Sequence, residues 1–153
     1  MTPESRRVEI VTFAATRVAC YEHRGPAWRL NQSIRNFVQW RREHQLTRQT
    51  SATFTVFHDH ADTAIDLCAA TDKDIEPNRF GVVAKVIPGG RCAMLRHVGP
   101  ESTLARSIAY LYGEWLAESG AAVRDFPLFC ERVEFFPDVA MDEAVTDLYL
   151  PLR

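Results

Sequence analysis

Residues 17–26 read RVACYEHRGP and residues 91–100 read RCAMLRHVGP, so at an offset of 74 the Arg, Ala, His, Gly and Pro recur at five of ten positions. A recurrence of that density marks a duplicated supersecondary unit. Each copy leads into apolar residues at helical spacing: Leu30, Ile34, Phe37 and Val38 after the first, Leu104, Ile108, Leu111, Tyr112 and Trp115 after the second. Trp40 and Trp115 fall at nearly the same depth in the two stretches. Two strand-like runs follow each helix, 51–59 and 64–71 in the first copy, 128–138 and 144–152 in the second. The turn residues Pro77-Asn78 and Pro88-Gly89-Gly90 flank a short strand at 80–86. Gly120, just past the second helical stretch, marks its end by its tolerance of the left-handed conformation.

The pattern predicts an α+β domain of two tandem β-α-β-β units related by a pseudo-twofold axis. Its halves are expected at about 8–75 and 80–153, behind a linker or disordered start at 1–7. A β-α-β-β unit covers one sheet face with its helix. The expected architecture is therefore a curved antiparallel sheet with both long helices on one face and a central cleft on the other. The bare face could alternatively be solvated or packed on a second copy, as a homodimer.

Composition limits the function. Over 153 residues, 18 Lys and Arg oppose 20 Asp and Glu, a formal net charge of −2, with 46% hydrophobic residues. That is the profile of one globular domain. It lacks the basic excess of a self-sufficient nucleic-acid binder, so no direct nucleic-acid binding is expected. No apolar run reaches membrane-spanning length and the polar opening MTPESRRVEI has no signal-peptide core, so the expected setting is the cytoplasm, with no membrane partner. Cys20, Cys68, Cys92 and Cys130 form no CxxC pair, and they read as buried apolar residues rather than metal ligands. His58-Asp59-His60 offers ligand types but no third cluster, and reads as a turn. His23 and His97, duplicated with their Gly-Pro turns, read as structural. No metal, cofactor or catalytic residue is expected.

Strand alternation sorts the candidate site. In the last strand Asp147 and Tyr149 oppose Leu148 and Leu150. With Phe129, Val133 and Phe135 taken as helix-facing, the groove side receives Cys130, Arg132, Glu134 and Phe136; the repeat then adds Thr53, Thr55 and Phe57, with Asp66 and Cys68 on the neighbouring strand. Tyr21, Trp28 and Trp115 are further candidates for lining the cleft. Aromatic walls with a few acidic groups suit a small-molecule site.

The segments VACYEHRGP, TFTVFHDHAD, IPGGRCAMLRHVGP, EWLAESG and TDLYLPLR, in this order across residues 8–153, resemble the gyrase-inhibitor-like (GyrI-like) effector-binding family. The resemblance implies tandem β-α-β-β modules, a central cleft for bulky hydrophobic and often cationic ligands, and a binding rather than catalytic role. In drug-sensing members a Glu-x-Tyr strand supplies the acid that neutralises the ligand. Ungapped counting puts Cys130 and Arg132 at those positions, a one-residue slip offers Glu131, and alternation favours Glu134. Asp147 and Tyr149 match the acidic and aromatic pair of the family's last strand. The resemblance leaves a free-standing binder or the sensing domain of an AraC-class regulator whose DNA-binding domain lies elsewhere. The other readings are a hydrolase of strained electrophiles and a protein-binding gyrase inhibitor.

Overall fold

A computed structural model describes residues 7–153; of the expected start at 1–7, all but Arg7 lies outside the described residues. The elements run β1 (Val8–Phe13), β2 (Thr16–Arg24), α1 (Leu30–Glu43), β3 (Thr53–Phe57), β4 (Ala64–Ala70), β5 (Val83–Ile87), β6 (Gly90–Val98), α2 from Leu104–Tyr110, β7 (Phe129–Glu134) and β8 (Val145–Pro151). Helix α2 continues through a π-helical turn, Leu111–Trp115, into Leu116–Ser119. One extra residue is what such a turn inserts, and it matches the offset of 75 between Trp40 and Trp115 against 74 between His23 and His97 and between Ser33 and Ser107.

The chain forms two compact units. The first, Ala15–Pro88, has antiparallel strands in the order β3-β4-β2-β5 with α1 between β2 and β3. The second joins the residues up to Ala14 with Gly89–Arg153, in the order β7-β8-β6-β1 with α2 between β6 and β7. The α+β β-α-β-β plan thus stands in both copies. The strand at 8–13, counted by the sequence into the first half, pairs instead with β6, from Val8 opposite Leu95 to Phe13 opposite Gly90. The reason is one of edges: β5 already covers the free edge of β2, and β1 does the same for β6.

The duplicated His is explained by a duplicated Ser. His23 Nδ1 meets Ser33 Oγ at 2.7 Å, and His97 Nδ1 meets Ser107 Oγ at 2.8 Å, each bond tying the end of a strand to the first turns of the following helix. Between them the chain bends at Gly25 (φ +142°) and Gly99 (φ +144°), a region closed to other residues. At Gly99 a Cβ would also lie 3.2 Å from Thr103 Oγ1. Gly120 (φ +71°) ends α2 as expected.

Helix α1 buries Ser33, Phe37, Trp40 and Arg41, whereas Ile34 and Val38 are exposed. The buried stripe is one residue round from the purely apolar reading, because Ser33 must reach His23 and Arg41 must reach the β3 end. Arg41 donates to Leu46 O (2.6 Å), Thr53 Oγ1 (2.8 Å) and Ser51 O (3.0 Å). Burial, reinforced by the nearby Arg48, lowers its pKa to about 10. Ala19 and Ala69 lie opposite each other beneath α1 and leave room for the stacked Phe37 and Trp40 rings, 6.0 Å apart. In the second unit Leu104, Ser107 and Leu111 turn inward from the helix, toward a sheet face that carries Ala93, Leu95, Leu148 and Leu150.

Candidate functional site

Directly paired residues of neighbouring antiparallel strands point to the same side of the sheet. In the second unit the side away from α2 carries Arg96 opposite Asp147, Met94 opposite Tyr149, Phe129 opposite Tyr149, and Glu131 opposite Asp147. Phe13 of β1 completes an aromatic cluster: its ring centroid is 4.8 Å from Phe129 and 5.2 Å from Tyr149, and Phe129 stacks on Tyr149 at 5.1 Å.

Acidic groups crowd the adjacent end of this face. Asp147, 6% exposed, accepts two bonds from Arg96, Nε at 2.8 Å and a terminal nitrogen at 3.0 Å. Glu131 has neither a hydrogen bond nor an ion pair among the described residues; burial, and then the Asp147 carboxylate, push its pKa up against the pull of Arg96. A bulge between Arg132 and Glu134 brings Glu134 opposite Val145, onto the same side, where its charge acts on Arg96. Around Asp147 three carboxylates therefore share one guanidinium. Tyr149, whose hydroxyl makes no protein hydrogen bond among the described residues, is pushed up to about 12 by burial and by Asp147 and Glu131, and so remains a neutral donor. Arg124, at the far end near Cys92, is occupied by the carbonyls of Leu152, Gly89 and Arg91.

The corresponding face of the first unit has the opposite balance. Glu22 lies opposite Asp66, a like-charged pair that needs neutralising. Lys85 bridges the two (2.5 Å to Glu22, 3.1 Å to Asp66), Arg24 adds 2.9 Å to Asp66, and His58 Nε2 lies 2.9 Å from it. Burial pushes Asp66 up, but the bonds from His58, Arg24 and Lys85 outweigh it and hold the carboxyl below its ordinary range. This acid is already saturated by protein cations.

Of the residues singled out in the sequence, the structure brings Glu131, Glu134, Asp147 and Tyr149 together. Cys130 lies opposite Leu148 and Arg132 opposite Thr146, both on the side facing α2, so the expected alternation of β7 is reversed there. Leaving Glu131 under the helix would have buried a carboxylate without a partner; Cys130 takes that place instead, and the bulge restores Glu134 to the acidic side. Arg132 pairs with Glu101 at 2.5 Å. Phe57 lies opposite Ile65, and Tyr21 opposite Leu67, on the α1 side, where Asn36 donates to the Tyr21 hydroxyl at 3.1 Å. Phe54 and Val56 take the Asp66 side of β3 instead. Trp28, 75% exposed, lies on the turn before α1 with Arg29 over its ring, and Trp115 is half-buried on α2. Asp59 binds Thr63 through both its backbone and its hydroxyl, which is turn chemistry.

Sequence reasoning missed Arg96, Phe129 and Phe13. The offset of 74 that aligns His23 with His97 also aligns Glu22 with Arg96 and Ser33 with Ser107, and extending it would have exposed the charge reversal. Among the described residues no group of three His, Cys, Asp or Glu could hold a metal ion, and no helix is long and apolar enough to cross a membrane.

Two β-α-β-β units, one with aromatic and acidic residues gathered on the sheet face away from its helix, define the α+β class of this domain. Comparison with known proteins gives the family: residues 6–153 match the GyrI-like small molecule binding domain, and the chain belongs to that family. It is 33% identical over 159 residues to the probable transcriptional regulator YgiV of Escherichia coli K12, covering 99% of both chains. Among solved structures it resembles in fold the EcmrR C-terminal domain (TM-score 0.80, 15% identity, 96% and 97% of the two chains covered). A hydrolase from Listeria innocua shares the fold less closely (TM-score 0.66, 11% identity, 97% and 93% covered).

Proposed function

We propose that this chain is a non-catalytic effector sensor in transcriptional regulation. In this reading it binds a small hydrophobic monocation on the acidic face of its second unit. One observation carries the choice of ligand: among the described residues Glu131 and Glu134 form no ion pair, and they share a sheet face with Asp147 and the half-buried Phe13 and Tyr149 rings. A cation set against those two rings and carboxylates gains from the ring quadrupoles and from charge pairing. Tyr149 supplies a donor that stays protonated across the physiological range.

The regulatory assignment is supported by the likeness to YgiV over its whole length. Recognition of DNA would fall to another domain or partner, since the charge balance of −2 offers no phosphate-binding excess. Calorimetry with tetraphenylphosphonium against the neutral triphenylphosphine oxide tests the reading. Cation-selective binding that weakens in Glu131→Gln supports it. Turnover of a strained electrophile would favour a hydrolase, and inhibition of purified gyrase would favour a protein-binding role.

A further inference from the structure

On the α2 side of the second unit, opposite the acidic face, lies a pocket of about 260 Å³. It is below the roughly 300–1,000 Å³ of pockets for drug-sized ligands, which restricts it to small occupants. Leu104, Phe135, Phe136 and Met141 form its apolar walls, and Phe136 and Met141 are largely exposed at its mouth.

Its polar groups differ in availability. His97 has both ring nitrogens occupied, Nδ1 by Ser107 and Nε2 by Thr103 at 3.0 Å. Thr103 spends its own proton on Pro100 O at 2.8 Å, so it accepts from His97 Nε2–H, and burial in the wall lowers the pKa of the His97 ring, favouring its neutral form. Thr146, 6% exposed, lines the pocket, and its hydroxyl makes no protein hydrogen bond among the described residues. The same register position in the first unit, opposite the duplicated His, is filled by the apolar Ile65.

The charged pair at the pocket is asymmetric. The Arg132 side chain is 18% exposed and its partner Glu101 69% exposed, with contacts of 2.5 and 3.2 Å. The guanidinium is fixed in the wall, while its carboxylate can swing into water at little cost. A ligand carboxylate could take that place without leaving either charge buried and unpaired, and its planar oxygens suit the guanidinium fork. An ammonium head would instead meet Arg132.

We propose that this pocket is a second ligand site, selective for a small aliphatic or aromatic monocarboxylate. The carboxylate displaces Glu101 from Arg132 and accepts a hydrogen bond from Thr146, and the apolar tail lies against Leu104, Phe135 and Met141. The site shares no residue with the proposed effector face and stands independently of it.

Octanoate, octylammonium and octanol titrated into the isotope-labelled full chain, followed by amide chemical shifts, test this. Octanoate should shift residues around 97–104 and 132–146 saturably, at least tenfold more tightly than octylammonium. Arg132→Gln should weaken octanoate more than tenfold and leave octanol within twofold, and Thr146→Ile should weaken octanoate. Glu101→Gln, at an exposed position, should tighten octanoate several-fold by removing the competing carboxylate, a gain that misfolding cannot imitate. The same behaviour should persist in Glu131→Gln, which separates this site from the effector face. Absence of octanoate shifts in this region, equal affinity for octylammonium, or indifference to Arg132→Gln and Glu101→Gln would overturn the proposal.

Discussion

Arg96 and Asp147 face each other across β6 and β8, the guanidinium giving two bonds of 2.8 and 3.0 Å to a carboxylate that is almost wholly buried. The pair sets how much negative field the acidic face retains, because Arg96 is the cation through which Asp147, Glu131 and Glu134 are balanced. Arg96→Gln therefore acts in two directions. It should lower Tm by about 2–8 °C, the effect of unpairing a buried acid whose partner was half-exposed, and tighten lipophilic cations several-fold. Thermal unfolding and calorimetry on the same variant check both; loss of cation binding in a folded Arg96→Gln protein would contradict the assignment.

Glu131 should respond to pH in the sense opposite to a salt-bridged acid. Its pKa is raised by burial and by Asp147, so its contribution to stability is full below the unfolded value and lost as pH rises through the folded one. At neutral pH the ionised group is a cost. Glu131→Gln should then raise Tm by about 1–3 °C at pH 7–8 and leave it unchanged near pH 4. Melting curves across that range read the difference.

Asp66 offers the contrasting case. Its pKa is held below the ordinary value of 3.8 by bonds from His58, Arg24 and Lys85 that overcome burial, so its stabilisation is present above that value and disappears as pH falls through the folded pKa. Asp66→Asn should cost about 2–4 kcal/mol at pH 7 by leaving several cations short of a partner, with the deficit shrinking as the pH falls below 3.8. Cation affinity should stay within twofold, because Asp66 has no charge to spare. Denaturant titrations and calorimetry test the two halves of that statement.

His97 should titrate below its ordinary 6.5. Burial lowers it, Arg132 adds to the effect, and the Pro100 contact and Glu101 only partly offset it. Its share of stability is therefore full above 6.5 and falls as pH drops through the folded pKa. Ring-proton shifts followed by NMR give the midpoint directly; a value at or above 6.5 would contradict the neutral, doubly hydrogen-bonded ring.

The duplicated motif was legible because the bend at Gly25 and Gly99 and the His-to-helix bond tolerate few substitutes, and the 3.6-residue spacing located both helices. The partnership of β1 was not legible: an edge strand chooses its neighbour by which edge is left open, a property of the finished sheet. On the acidic face, the shared side of Asp147 and Tyr149 followed from simple alternation in β8. The faces of β7 did not, since a bulge at Arg132/Glu134 breaks the period of two and the charge on Glu131 reverses the side that Phe129 alone suggests. Phe57 failed for a related reason, as its aromatic character fits either side of β3 and the register with Ile65 decides.

The most direct measurement is the affinity of tetraphenylphosphonium relative to triphenylphosphine oxide for the wild-type chain and for Glu131→Gln, by calorimetry at fixed ionic strength. The expected result is a cation Kd on the order of micromolar, at least tenfold tighter than for the neutral compound, with that margin largely lost in the variant. Equal affinities for the two compounds, or an undiminished margin in Glu131→Gln, would contradict the acidic face as the effector site.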